Sequence, residues 1–237
     1  MDEFFDIPTL IAIGIAIVVL WRLRQVLGTR TGNERPPFQR AQAAPAKKPA
    51  DDATPAALPS PAPVDGDAQR RALKLEAEID QLSHGDGHVA AGLKAIADAD
   101  PGFSPKAFLD GAKAAYEMIV TAFAAGDRKT LKPLLEKDVY DGFESAIAAR
   151  EAAGKSIDFT FVGLPKIEIT AAEIDKRDAH VTVAFTAQIV QATKDKSGAV
   201  IEGSTSDTQT IADEWTFARS PKARDPNWKL IATNQLS

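Results

Sequence analysis

His84 and His88 stand four residues apart around Gly85-Asp86-Gly87, a spacing at which two imidazoles could reach one metal ion. No further ligand cluster accompanies them, so the stretch reads as a glycine-rich break between elements and no metal site is expected. The 237 residues contain no Cys, which excludes disulfides, thiolate metal sites and Cys nucleophiles together and leaves stability to core packing. Gly154-Lys155-Ser156 ends like a phosphate-binding loop. Ala149 occupies the position where that motif needs its first Gly, and the segment joins a helix to a strand, the reverse of the required order. No Gly-x-Ser-x-Gly elbow occurs, and His180, at a strand start, reads as a surface or edge residue. These residues imply no cofactor, and the chain is expected not to be an enzyme. A formal net charge of -5 and the lack of an aromatic-interleaved basic face argue against nucleic acid as a partner.

Four segments must position whatever function remains. Between Asp6 and Arg22 there is no charge, and the Ile, Leu and Val residues there favour membrane insertion by about 3 to 5 kcal/mol. With Arg22 and Arg24 snorkelling, the span reaches Leu27, roughly 20 residues and roughly 30 Å of helix, and puts Trp21, Arg22 and Arg24 at the membrane interface. Asp2, Glu3 and Asp6 precede the span and Arg22-Leu23-Arg24 follows it, an arrangement unlike a cleaved signal peptide. Every flanking Arg lies C-terminal to the span, so the positive-inside rule places the N-terminus outside and the body in the cytoplasm. The expected anchor is residues 1–28.

Residues 29–66 carry eight Pro among Ala, Asp and Lys, from Pro36 to Pro63, and read as a disordered tether reaching between about 30 Å as a coil and about 110 Å as polyproline. Residues 67–89 follow as an amphipathic helix and the glycine-rich break, with Ala68, Ala72, Leu75, Ile79 and Leu82 forming a stripe. The stripe either docks on its own domain or pairs with a partner, including a second copy in a homo-oligomer.

Within residues 90–237, Ser104-Pro105 marks a helix start, Phe108, Ala112, Tyr116, Ile119 and Phe123 mark its apolar face, and Gly126 marks its stop. Asp127 caps a short helix with Leu131, Leu134 and Leu135, and a third begins near Asp138 and ends before Gly154. The period then changes to two, through Ile157, Phe159 and Phe161, Ile167 and Ile169, and Val181 to Ile189. Lys194 to Gly198 reads as a hairpin loop, followed by strands over Thr208 to Arg219 and Trp228 to Thr233. Helices followed by antiparallel strands make an α+β layout. A fragment from Gly87 to Ser237 is expected to be soluble on its own.

At these residues a family resemblance becomes specific. Asp100-Pro101-Gly102-Phe103, Phe108-Leu109-Asp110-Gly111-Ala112-Lys113, Gly126-Asp127, Val139-Tyr140-Asp141-Gly142-Phe143 and Arg150 resemble the Tim44-like domain. Glu214-Trp215-Thr216-Phe217-Ala218-Arg219 and Asn227-Trp228-Lys229-Leu230 resemble its closing strands. The bacterial TimA-type adaptors of this family are similar throughout, with a span, a tether and this domain. The resemblance implies a cone-shaped fold related to nuclear transport factor 2, with helices closing over a curved sheet. In the mitochondrial members it implies a membrane-bound adaptor that recruits an Hsp70 motor to an import channel and associates with cardiolipin.

The expected function is therefore a membrane-tethered adaptor for protein partners or clients on the cytoplasmic face of a bacterial inner membrane. A lipid- or hydrophobic-ligand-binding module is the alternative. Cone-shaped domains also host isomerases that use an Asp base with a Tyr or acid donor. Tyr116, Phe123, Trp215, Phe217 and Trp228 are the residues expected to line a ligand or partner pocket between helices and sheet.

Overall fold

The computed structural model describes residues 66–236. The expected anchor, the tether apart from Gly66, and the interface residues Trp21, Arg22 and Arg24 lie outside the described residues. Among the described residues no helix is long and apolar enough to cross a membrane.

Among the described residues five helices precede four strands: α1 (Gly66–Ser83), α2 (Gly87–Ala99), α3 (Pro105–Ala125), α4 (Arg128–Leu134), α5 (Lys137–Ala152), then β1 (Ser156–Asp175), β2 (Asp178–Lys194), β3 (Val200–Arg219) and β4 (Lys229–Leu236). The strands form one antiparallel sheet in the order β1-β2-β3-β4, so the fold is α+β with the helices gathered on one face.

Local signals account for most boundaries. The Ser104 hydroxyl accepts the Ala107 N–H with Pro105 in the first turn, and α3 stops at Gly126, whose φ of 73° needs a residue without a β-carbon. The Asp127 carboxylate accepts the N–H groups of Lys129 and Thr130 and starts α4. Gly154, at φ 67°, ends α5 and leads into β1, so Gly154-Lys155-Ser156 serves as a helix terminator.

Three expectations need correction. Helix α2, capped by Asp86, was not anticipated; it buries Val89, Leu93, Ile96 and Ala97, and it packs on β1. The segments around Ile157 and Ile167 belong to one strand, β1, which continues across Pro165 with register shifts near Gly163. β1 is the sheet edge, where a residue lacking an N–H is tolerated, and the bulges bend the strand. β3 also starts earlier than expected, at Val200.

The core lies between helices and sheet. In β2, Ala179, Val181, Val183, Phe185, Ala187 and Ile189 are buried and alternate with half-buried neighbours. Of these, Ala179 to Ala187 meet Leu93 and Ile96 of α2, Phe108, Tyr116 and Ile119 of α3, Leu131 of α4 and Ile147 of α5 in one cluster. Helix α1 docks on α2, α3 and β1. Its Ile79 joins the core, and its buried Glu78 accepts the Ser104 hydroxyl at 2.6 Å and the Lys106 N–H at 3.3 Å, which sets a carboxylate at the positive end of α3.

Candidate functional site

Period-two alternation puts Gln209, Ile211, Asp213, Trp215 and Phe217 of β3 on the same face as the buried residues of β2; Phe185 lies opposite Asp213 and Val183 opposite Trp215. On the other side of β3, Gln235 pairs with Asp213 and Thr233 with Trp215. Tyr116 and Phe123, seven residues apart on α3, project from one helix face toward this surface. Helix α5 completes the enclosure with Val139, Gly142, Phe143 and Ala146. A cavity of about 530 Å³ is left between them, extending along the sheet to Ile157, Phe159, Ile189 and Glu202.

The Tyr116 ring stacks on Phe185 with centroids 4.5 Å apart and lies 4.5 Å from Trp215, while Phe123 meets Phe143 edge-on at 5.0 Å. The Tyr116 hydroxyl donates a 2.6 Å hydrogen bond to Oδ2 of Asp213. Burial pushes the Asp213 carboxyl above its ordinary value, and the Tyr116 hydrogen bond draws it partly back. Burial, followed by the charge of Asp213, pushes the Tyr116 hydroxyl far up, so it stays protonated and donating. Among the described residues no donor reaches Oδ1 of Asp213. The lining residues include the carboxyl groups of Asp138, Glu202 and Asp213 and no Lys, Arg or His.

Of the five aromatics expected to line a pocket, Tyr116, Phe123 and Trp215 face this cavity. Phe217 and Trp228 sit elsewhere, in a cluster with Phe103 and Phe108 in which Phe108 lies 4.7 Å from Trp228 and 6.1 Å from Phe217. That cluster is closed by Arg219, which stands 5.4 Å over the Trp228 ring and pairs with Asp100. Asp213 was missed from the sequence, although it is in phase with Trp215 and Phe217 along β3 and that alternation was the signal that could have found it.

His84 and His88 are exposed, and among the described residues no group of three or more His, Cys, Asp or Glu is placed to hold a metal ion. His180 is half-buried at the start of β2, between Glu173 and Ala218 of the flanking strands. Arg150 caps the end of α3, donating to the carbonyls of Phe123 and Ala124 at 3.0 Å each, with its guanidinium 5.5 Å over the Phe123 ring.

Mitochondrial import inner membrane translocase subunit TIM44-1 of Arabidopsis thaliana is 22% identical over 147 residues, which cover 60% of this chain and 31% of that protein. The chain thus spans about a third of the length of the curated relative it matches. Among solved structures, the intermembrane space region of the chloroplast protein ARC6 is similar with a TM-score of 0.39 at 14% identity, covering 54% of this chain and 96% of that one. A member of the NTF2-like family from Streptomyces avermitilis is similar with a TM-score of 0.33 at 16% identity, covering 55% and 95%. The model of the Tim44-like domain matches residues 89–235, more than half of the chain and nearly the whole of the described fold, and the protein belongs to the Tim44-like domain family.

Proposed function

We propose that the protein is a membrane-tethered adaptor that binds protein partners or clients in protein translocation or chaperone recruitment. The observation that carries this reading is the family match over 89–235 together with the similarity to a translocase subunit. In this reading the protein is a bacterial TimA-type member with a cone-shaped fold, held by residues 1–28 in the inner membrane with its domain in the cytoplasm. In this reading the protein is not an enzyme. Crosslinking in native membranes followed by pull-down of the full chain tests the adaptor reading; recovery of translocation or chaperone components supports it, and recovery of none overturns it. A Cys introduced near Ser237 should be protected from membrane-impermeant thiol reagents in intact cells, and one at Asp2 should react.

The cavity favours a second reading, a module for an amphiphilic ligand. Its volume and its aromatic and aliphatic walls suit a small-molecule site. The carboxyl groups on its lining give an anionic lipid headgroup no partner there.

A further inference from the structure

We propose that the cavity between α3, α5 and the sheet takes an amphiphilic amine, an apolar chain or ring ending in an ammonium group that docks on Asp213. The inference rests on the ligand-cavity reading and is independent of the adaptor reading. A half-buried carboxylate in a cavity with largely aromatic and aliphatic walls gains from a donor to its second oxygen. Tyr116 satisfies Oδ2 at 2.6 Å, and Oδ1, which is open to the cavity solvent, has no protein donor among the described residues, so a ligand donor can reach it. An ammonium N–H supplies that donor as a charge-assisted hydrogen bond, stronger than a neutral hydroxyl can give.

The surroundings select the sign of the charge. Asp213 is faced by Tyr116 from α3, Phe185 from β2 and Gln235 from β4, none of them cationic. Farther along the lining stand Asp138 and Glu202, which add negative potential. Arg150, over the Phe123 ring, directs its guanidinium at two backbone carbonyls of α3. A ligand carboxylate or phosphate would therefore meet like charge with nothing to offset it, whereas an ammonium meets opposite charge. The apolar part of the ligand would lie along Phe143, Phe159 and Ile189.

Three probes with the same eight-carbon chain separate the terms: octylamine, octanol and octanoate. Titrated calorimetrically into the full chain in lipid nanodiscs, with empty nanodiscs subtracted, octylamine should bind about tenfold tighter than octanol, and octanoate weakest. Asp213→Asn keeps the shape and an acceptor for Tyr116; it should weaken octylamine binding far more than octanol binding and so abolish the amine preference. Should that variant unfold, the unmutated protein gives the same answer, because octylamine should lose its advantage as acid protonates Asp213. Octanoate binding as well as octylamine, or an amine preference that survives Asp213→Asn or acidification, overturns the proposal while leaving the cavity reading in place. Failure of all three probes to bind overturns both.

Discussion

Gly92 of α2 lies so close to Ala172 of β1 that a β-carbon added at Gly92 would stand 1.8 Å from the Ala172 carbonyl oxygen. The helix rests on strand backbone, and no side chain can swing away to make room. Helix propensity alone would make Gly92→Ala stabilising by about 1 kcal/mol, but overpacking against backbone costs about 1 to 3 kcal/mol or more, and the steric term should win. Urea denaturation should show a lower midpoint for Gly92→Ala; an unchanged or raised midpoint would mean that α2 can lift from the sheet without cost.

The two aromatic groups should respond differently to truncation. Phe217 is 2% exposed and packs on Phe108 and Phe185, so Phe217→Ala should cost about 3 to 5 kcal/mol of stability. Phe123 is half-buried on the cavity wall, and Phe123→Ala should cost less while weakening whatever the cavity holds. Melting temperatures and recovery of crosslinked partner or bound amine, measured on both variants, decide the matter. If binding falls only in proportion to stability in each, the cavity wall is ordinary core.

Removing α1 should weaken the domain. A fragment beginning at Gly87 loses the packing of Ile79, about 1.5 to 3 kcal/mol, and the Glu78 carboxylate at the start of α3, about 1 kcal/mol. The fragment should still fold, with a lower melting temperature than one beginning at Gly66. Equal melting temperatures would show that α1 is free for a partner.

Asp213 gives the stability a pH dependence of definite sign. Its folded value is raised, so between the ordinary and the raised value the folded state holds a proton that the unfolded chain has released, and the contribution present at acid pH is lost as pH rises through the raised value. Asp213→Asn should therefore raise the melting temperature at neutral pH and leave it nearly unchanged in acid. A gain confined to acid pH would reverse this assignment.

The helix caps Ser104, Gly126 and Asp127 were legible because each acts on its own turn, and the β2 alternation was legible because one face is buried along its length. Helix α2 was hidden by its composition: Gly87, its first residue, read as part of a glycine-rich break, and the small Gly92 is where the helix meets the sheet. Pro165 made β1 look like two segments, since only the strand order reveals that β1 is an edge. The split of the five aromatics between cavity and core depends on where α5 lies across β4, a relationship no local pattern encodes. The Tyr116–Asp213 contact likewise joins residues 97 positions apart.

That separation also sets a clock. Every described helix is made before any described strand, so on a ribosome adding about 5 to 20 residues per second the Tyr116 face of α3 waits on the order of 5 to 20 s for Asp213 to be made. Leu135 waits nearly as long for its bridge to Leu230 in β4, the last strand to arrive. During that interval the apolar faces of α3, α4 and α5 have at most the β1–β2 hairpin to cover them, so the nascent chain is a natural substrate for holding chaperones until β3 and β4 emerge.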